Sequence, residues 1–444
     1  MHGTARKKET APAGSKDENV FDIMQGVSIN IFVKKKAKSN APAEIFHYDL
    51  YGTRSNKYDY LQTNSLKTVN WTPLQPQAPS FFFVPKDFAV QQEYEKGFKV
   101  DELMATGSTG IETRRDAITI QYTEQELLNV LNDFKILTEE NIRIKYNAKD
   151  TRDWKIALAK DDVIKNTSII TKISYRPFDE RYTLYTGKTR GFIGYPFDKV
   201  MRHLLIKNEN LALCTCRQQT SFDFQHVLVS NSITERCFVS LQTGEVTSVF
   251  PLYLYPEEGS FDTERRPNLD ATIWAQINAA IGKSTSPEDI FDYIYGVLHS
   301  PAYRTKYKEF LKVDFPRIPY PTSAEEFEHF RSHGNRLREL HLMHDVPESP
   351  VTFPYPGTMQ VDSLAWEYNI DDGYSGNIYI NDTQCFEGVP TAAFEMYIGG
   401  YQPAQKWLKD RKGRTLTFDD IEHYRRIIAI LIETDKIMKQ IDNY

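Results

Sequence analysis

The chain has 444 residues, enough for two or three domains and for a large buried core. Its 54 Lys and Arg against 60 Asp and Glu leave a net charge of −6, which excludes a wholesale basic protein, and 40% hydrophobic residues exclude a disordered one. Four cysteines exclude a disulfide scaffold and point to a reducing cytoplasm.

Residues 1–30 do not read as a signal peptide, and no run approaches the roughly 18–20 apolar residues that span a bilayer. Val27 to Val33 alternates like a half-buried strand before the basic turn Lys34-Lys35-Lys36. Ile45 to Leu50 follows at hairpin distance, and two such strands cannot bury a core alone. A helix is predicted over 124–134, and the polar stretch 138–163 reads as a boundary. Strand patterns recur at 173–176, 181–185, 211–216 and 250–255, with a helix over 196–208. From 268 the pattern turns helical. Ser286-Pro287-Glu288-Asp289, Ser300-Pro301 and Ser323-Ala324-Glu325-Glu326 each open a helix, the third running to about His344. Strand patterns return over 350–400, and Thr417-Phe418-Asp419-Asp420 opens a C-terminal helix.

Charge is unevenly placed. Residues 141–220 hold 16 Lys or Arg against 8 Asp or Glu, a net of +8, so the remainder carries −14. The cations are interleaved with aromatics and amides, as in Tyr175-Arg176, Arg181-Tyr182, Lys188-Thr189-Arg190, Arg202-His203 and Arg217-Gln218-Gln219. Arg and Lys neutralise phosphates, and Arg, Asn and Gln match base edges, so this segment is the candidate face for nucleic acid. A solvated surface is the bland alternative.

Enzymatic signatures are absent. Gly187-Lys188-Thr189 imitates the end of a phosphate-binding loop, but the position that needs glycine holds Tyr182. No G-x-S-x-G occurs. Cys214 and Cys216 fit buried structural thiols, because no partner pair lies at zinc spacing. His341 and His344, beside Asp345, read as a polar helix end, and the tyrosines of 293–307 read as core.

The run Asn19 to Lys34 resembles the late strands of the adenine-N6 DNA methyltransferase domain in single-chain restriction–modification enzymes, the type ISP and type IIG-like group. Blocks 110–116 (with Arg114 and Arg115), 175–182, 250–255, 295–304 and 400–408 resemble that family's C-terminal target-recognition region. The resemblance implies S-adenosylmethionine as methyl donor, an Asn-Pro-Pro-Tyr motif and a glycine-rich cofactor loop. Neither motif occurs in the 444 residues, so no catalytic or cofactor residue is carried over.

The expected fold is α+β. Residues 1–125 would hold edge strands of a truncated α/β methyltransferase sheet and a connector. Residues 126–444 would form a mixed α/β recognition region with helical insertions and a C-terminal helix, divided near 265 and 346. The expected function is sequence-specific recognition of double-stranded DNA in the cytoplasm, with no membrane partner. Catalysis and S-adenosylmethionine would belong to an N-terminal part or a separate subunit, leaving this chain inactive alone and without a cofactor. The candidate DNA contacts are Arg114, Arg115, Tyr175, Arg176, Arg181, Lys188, Arg190, Arg202, Arg217, Gln218 and Gln219. The alternatives are a complete but diverged methyltransferase and a protein-interaction subunit.

Overall fold

The computed structural model describes the chain except residues 4–10, 12, 13, 24, 25, 35–42, 79, 80, 86, 87, 166–168, 220–222, 243, 258 and 260–263. The chain divides into two compact units, 1–92 and 93–444.

In the first unit, β1 (Ile45–His47) pairs antiparallel with β2 (Thr72–Leu74). Between them lies α1 (Arg54–Thr63), capped by Thr53, whose hydroxyl accepts from the Asn56 N–H. The buried Lys57 ammonium donates to Asp17 at 2.6 Å and to the carbonyls of His2 and Glu18. The expected pairing of 27–33 with 45–50 does not form. Val27 to Val33 has no ladder partner among the described residues, and Ile29, Ile31, Phe32 and Val33 are exposed. Lys35 and Lys36 of the basic turn lie outside the described residues, as do Met24 and Gln25 of the methyltransferase-like run.

The helix α2 (Phe88–Glu95) crosses the boundary. Next come β3 (Phe98–Lys99), α3 (Val100–Leu103), β4 (Ser108–Thr109) and α4 (Asp116–Thr119). Residues 93–125, grouped by sequence with the leading part, belong to the second unit. There β3 pairs with Arg317–Ile318, β4 pairs with Thr247–Pro251, and the Gly110 N–H donates to Thr247.

The helix α5 (Glu124–Ile136) opens with a capping box of Thr123 and Glu126. The stretch 138–163 is not a boundary but two helices, α6 (Glu139–Lys145) and α7 (Ile156–Lys165). Polar outer faces hide the apolar positions Ile142, Trp154, Ile156, Ala159 and Val163, which join Leu127, Phe134 and Phe192 in one core. The strands β5 (Ile170–Arg176) and β6 (Asp179–Leu184) form a hairpin, turned at Phe178 with φ +61°. The helix expected over 196–208 is only α8 (Asp198–Met201) with a 3-10 turn to Leu204, because Leu205 is extended.

The strands β7 (Ala212–Cys216), β8 (Val227–Ser230), β9 (Ile233–Thr234) and β10 (Thr247–Pro251) follow. One sheet has the order β4-β10-β7-β8, and β9 runs parallel to β5 at the edge of the hairpin. Every residue of β7 and β8 is buried, Cys214 and Cys216 included, as free thiols. Burial pushes the Cys214 thiol up to about 12.

Beyond the short pair β11 (Tyr253–Leu254) and β12 (Arg266–Pro267) the helices take over. These are α9 (Ala271–Ile281), α10 (Pro287–His299) and α11 (Pro301–Lys306), then β13 (Arg317–Ile318) and α12 (Ala324–His341). The helices α10 and α12 meet backbone to backbone at two glycines. A Cβ on Gly334 would lie 1.8 Å from the Asp292 carbonyl, and one on Gly296 would lie 2.1 Å from that of Phe330. His341 is not a polar end but core: it bonds the Tyr295 hydroxyl at 2.5 Å and Thr434 at 3.0 Å. His344 is exposed and pairs with Glu339.

A three-stranded sheet, β14 (Ala365–Tyr368), β15 (Ser375–Tyr379) and β16 (Cys385–Pro390), precedes α13 (Thr391–Glu395) and α14 (Pro403–Lys409). The last helix is α15 (Phe418–Ile441), opened by the Thr417–Asp420 box. The molecule is thus a mixed α/β protein of several small sheets and helices. Among the described residues no helix is long and apolar enough to cross a membrane.

Candidate nucleic-acid interface

The basic, tyrosine-rich segment splits into two sets. One set is internal. The Arg176 guanidinium lies 3.8 Å from the centre of the Tyr175 ring and Arg181 lies 3.9 Å from it. Arg181 also sits 4.0 Å from the Tyr122 ring, and Arg411 packs 3.4 Å over Trp407 and 5.2 Å from Tyr122. The result is a stack of alternating rings and guanidiniums, Trp407, Arg411, Tyr122, Arg181, Tyr175 and Arg176, tying the β5–β6 hairpin to the segment before α15.

Buried carboxylates neutralise the stack. Asp179 accepts from Arg181 at 2.7 Å and from Arg411 at 3.0 Å. Burial opposes the charge on Asp179, but Arg411 and Arg181 outweigh it and hold the carboxyl below its usual range. Glu235 accepts from Arg176 at 2.5 Å. Arg176 and Arg181 are 4% and 7% exposed, which leaves neither guanidinium open to a phosphate. The Tyr175 hydroxyl donates to Asp116 at 3.4 Å.

The other set faces solvent where three loops converge: 110–116 after β4, 147–155 between α6 and α7, and 185–195 after β6. Arg115 donates to the Lys149 carbonyl and stands over Trp154, 5.3 Å from its ring. Arg114, at φ +65°, pairs with Glu112 and approaches Asp153 at 3.7 Å while covering Tyr195. Asp153 also takes Arg152 at 2.9 Å and the Tyr195 hydroxyl at 2.9 Å, which pull its carboxyl down to about 2. The Trp154 indole N–H donates to the Phe192 carbonyl, locking the second loop to the third. Lys149, Lys155, Lys188 and Arg190 are exposed around this junction, Lys188 holding Asp161 at 3.2 Å.

The remaining sequence-predicted cations pair with residues outside the three loops. Arg202 is half-buried and pairs with Glu257 at 3.1 Å. Arg217 is exposed and donates to Asp314 at 2.9 Å. Beside it Gln218 is exposed and Gln219 is buried. Lys149, Arg152 and Lys155 belong to the junction but were not singled out from sequence. Their signal was present in the charged stretch before α7, where Trp154 interrupts the polar run. Among the described residues no group of three or more His, Cys, Asp or Glu could hold a metal ion.

The mixed α/β scaffold thus gathers cations on three interlocked loops and buries Arg176, Arg181 and Arg411 in the internal stack. The chain belongs to the family described as the Type ISP C-terminal specificity domain, whose model matches residues 102–440. Solved structures share the fold. An ATP-dependent Type ISP restriction–modification enzyme, LlaBIII bound to DNA, aligns with a TM-score of 0.71 and 20% identity over 99% of this chain and 30% of its own. The DrdV–DNA complex gives 0.67 and 20% over 89% of this chain and 43% of its own. A nuclease-deletion mutant of the Type ISP enzyme LlaGI with a DNA substrate mimic gives 0.61 and 19%, over 91% and 39%. The chain therefore spans less than half the length of each. No curated protein matches it.

Proposed function

We propose that this chain recognises a specific sequence in double-stranded DNA on behalf of an adenine-N6 methyltransferase of the restriction–modification type. The convergence of Arg114, Arg115, Lys149, Arg152 and Arg190 from three interlocked loops carries this reading. Its position in the specificity-domain family, whose relatives DrdV, LlaGI and LlaBIII are seen with DNA or a DNA mimic, supports it. Methyl transfer, and with it S-adenosylmethionine, is assigned to a catalytic part that carries the motifs absent from these 444 residues, whether joined to this chain or a separate subunit. The exposed, alternating run with Ile29, Ile31, Phe32 and Val33 is suited to adding a strand to that part's sheet.

The test is a titration of duplex DNA at several salt concentrations. Engaging about 5–7 phosphates gives a log–log slope of roughly −5 to −6, because each neutralised phosphate releases part of a condensed counterion. A slope near zero would defeat the reading. One-to-one micromolar binding of S-adenosylmethionine to this chain would defeat the assignment of the cofactor elsewhere.

A further inference from the structure

Of the arginines and lysines named above as candidate DNA contacts, Arg190 alone has no side-chain partner among the described residues. Arg114, Arg176, Arg181, Lys188, Arg202 and Arg217 each hold a carboxylate, and Arg115 holds backbone carbonyls. The backbone that presents it is, by contrast, tightly built. The buried Asp162 of α7 accepts the Thr186 hydroxyl at 2.9 Å on one side of the turn and the Phe192 N–H at 2.8 Å on the other. Gly191 lies so close that a Cβ there would meet the same carboxylate at 2.1 Å. The Tyr185 hydroxyl donates to Asp198 at 3.0 Å, and the Arg190 N–H closes the turn on the Gly194 carbonyl at 2.7 Å. Arg190 itself is held at φ +58°, a left-handed conformation that an L-residue adopts only under strain.

A free guanidinium on a rigid, strained turn is the arrangement that direct readout needs. A phosphate can be met by a cation on a loose tether, and the exposed Lys188 and Arg114 stand beside it for that role. A base edge lies deeper in the groove and demands a planar fork held in register. Five donors and no acceptor match the two acceptors, O6 and N7, on the major-groove edge of guanine. We infer that Arg190 reads a guanine in the target sequence and that Asp162 is the positioning residue that fixes its turn, an inference that rests on the DNA-recognition reading above.

The experiment selects the preferred duplex from a pool with a randomised centre, then compares duplexes in which each guanine is replaced in turn. The wild type, Arg190→Ala, Arg190→Lys, Asp162→Ala and Asp162→Asn are measured at several salt concentrations, each variant's melting temperature alongside. Arg190→Ala is expected to lose discrimination at one G·C pair by on the order of 10- to 100-fold, the salt slope changing by less than one. Arg190→Lys keeps the charge but loses the fork, so it loses the same discrimination. Asp162→Ala blurs the same pair, and Asp162→Asn, which keeps an acceptor oxygen, restores part of it. If both Arg190 variants weaken every duplex alike and flatten the slope by about one, Arg190 is a phosphate contact and the inference is overturned while DNA recognition stands. If Arg190 variants change nothing, the reader lies elsewhere. If the wild type binds no duplex, the wider reading fails and takes this assignment with it.

Discussion

The hairpin of β5 and β6 and the turn that follows it are neighbours in sequence and rich in the same residue types, yet their arginines serve opposite ends. Arg176 and Arg181 are stacked between rings, paired with buried carboxylates and closed to solvent. Four residues beyond the hairpin Lys188 and then Arg190 stand exposed on a turn fastened from beneath by Asp162. Local composition does not separate the two. The carboxylates do: Glu235 reaches Arg176 from far along the chain, and Asp179 of the hairpin itself is shared by Arg181 and the distant Arg411. An arginine beside tyrosine is therefore an ambiguous signal until its counter-charge is located.

That contrast can be broken by experiment, and the largest effect belongs to the internal set. Asp179→Ala leaves Arg181 and Arg411 buried without their shared partner, and should cost about 3–5 kcal/mol in urea unfolding. The salt slope of DNA binding should stay where it was. A drop in slope without loss of stability would mean the stack faces DNA after all.

A second effect separates the helical core from the loops. Burial holds the His341 imidazole down to about 3, and His299 well below the usual range, so both are neutral in the fold. The unfolded chain binds protons there from about pH 6.5 downward. The stability these groups contribute is therefore fully present above pH 6.5 and lost as pH falls toward about 3. At pH 5 His341 alone should account for about 2 kcal/mol, and His341→Gln should flatten the acid limb of a stability-versus-pH series. A pH-independent urea midpoint between 7 and 5 would contradict this.

The smallest effect on stability is the sharpest on function. Lys188→Ala should change the unfolding free energy by no more than about 0.5 kcal/mol. It should weaken all duplexes alike and flatten the salt slope by about one. Arg217→Ala, whose guanidinium lies away from the loop junction against Asp314, serves as its control and should leave the slope unchanged. A slope that falls equally in both would widen the interface to the end of β7.

Much of the fold was legible in the sequence because local chemistry decides it. The boxes at Ser286 and Thr417 start the helices they announce, and β5, β6 and β7 lie where the strand patterns put them, while the 250–255 pattern divides between the end of β10 and β11. What escaped depended on partners far away. Val27 to Val33 alternates correctly but has no ladder partner among the described residues, so alternation did not become a strand there. Residues 138–163 present polar faces outward and hide their apolar contacts until α5 and Phe192 are in place. The loop cluster was legible in part, as an excess of charge over 141–220 and as Arg114 and Arg115 in the 110–116 block. Its membership, with Lys149, Arg152 and Lys155 in and Arg202 and Arg217 out, is set by tertiary hydrogen bonds that no spacing rule encodes.

The contact of Gly296 with Gly334 bears on how such a protein can change over generations. With no side chain between the two backbones, α10 and α12 have no atoms to trim and no room to add any, so their separation is a fixed dimension. On the proposed reading, exposed turn residues such as 188–190 can be exchanged, and with them the preferred target, while this spacing stays constant. Drift in the reading surface is thereby uncoupled from drift in the frame, and a lineage could acquire new targets without having to refit its helices.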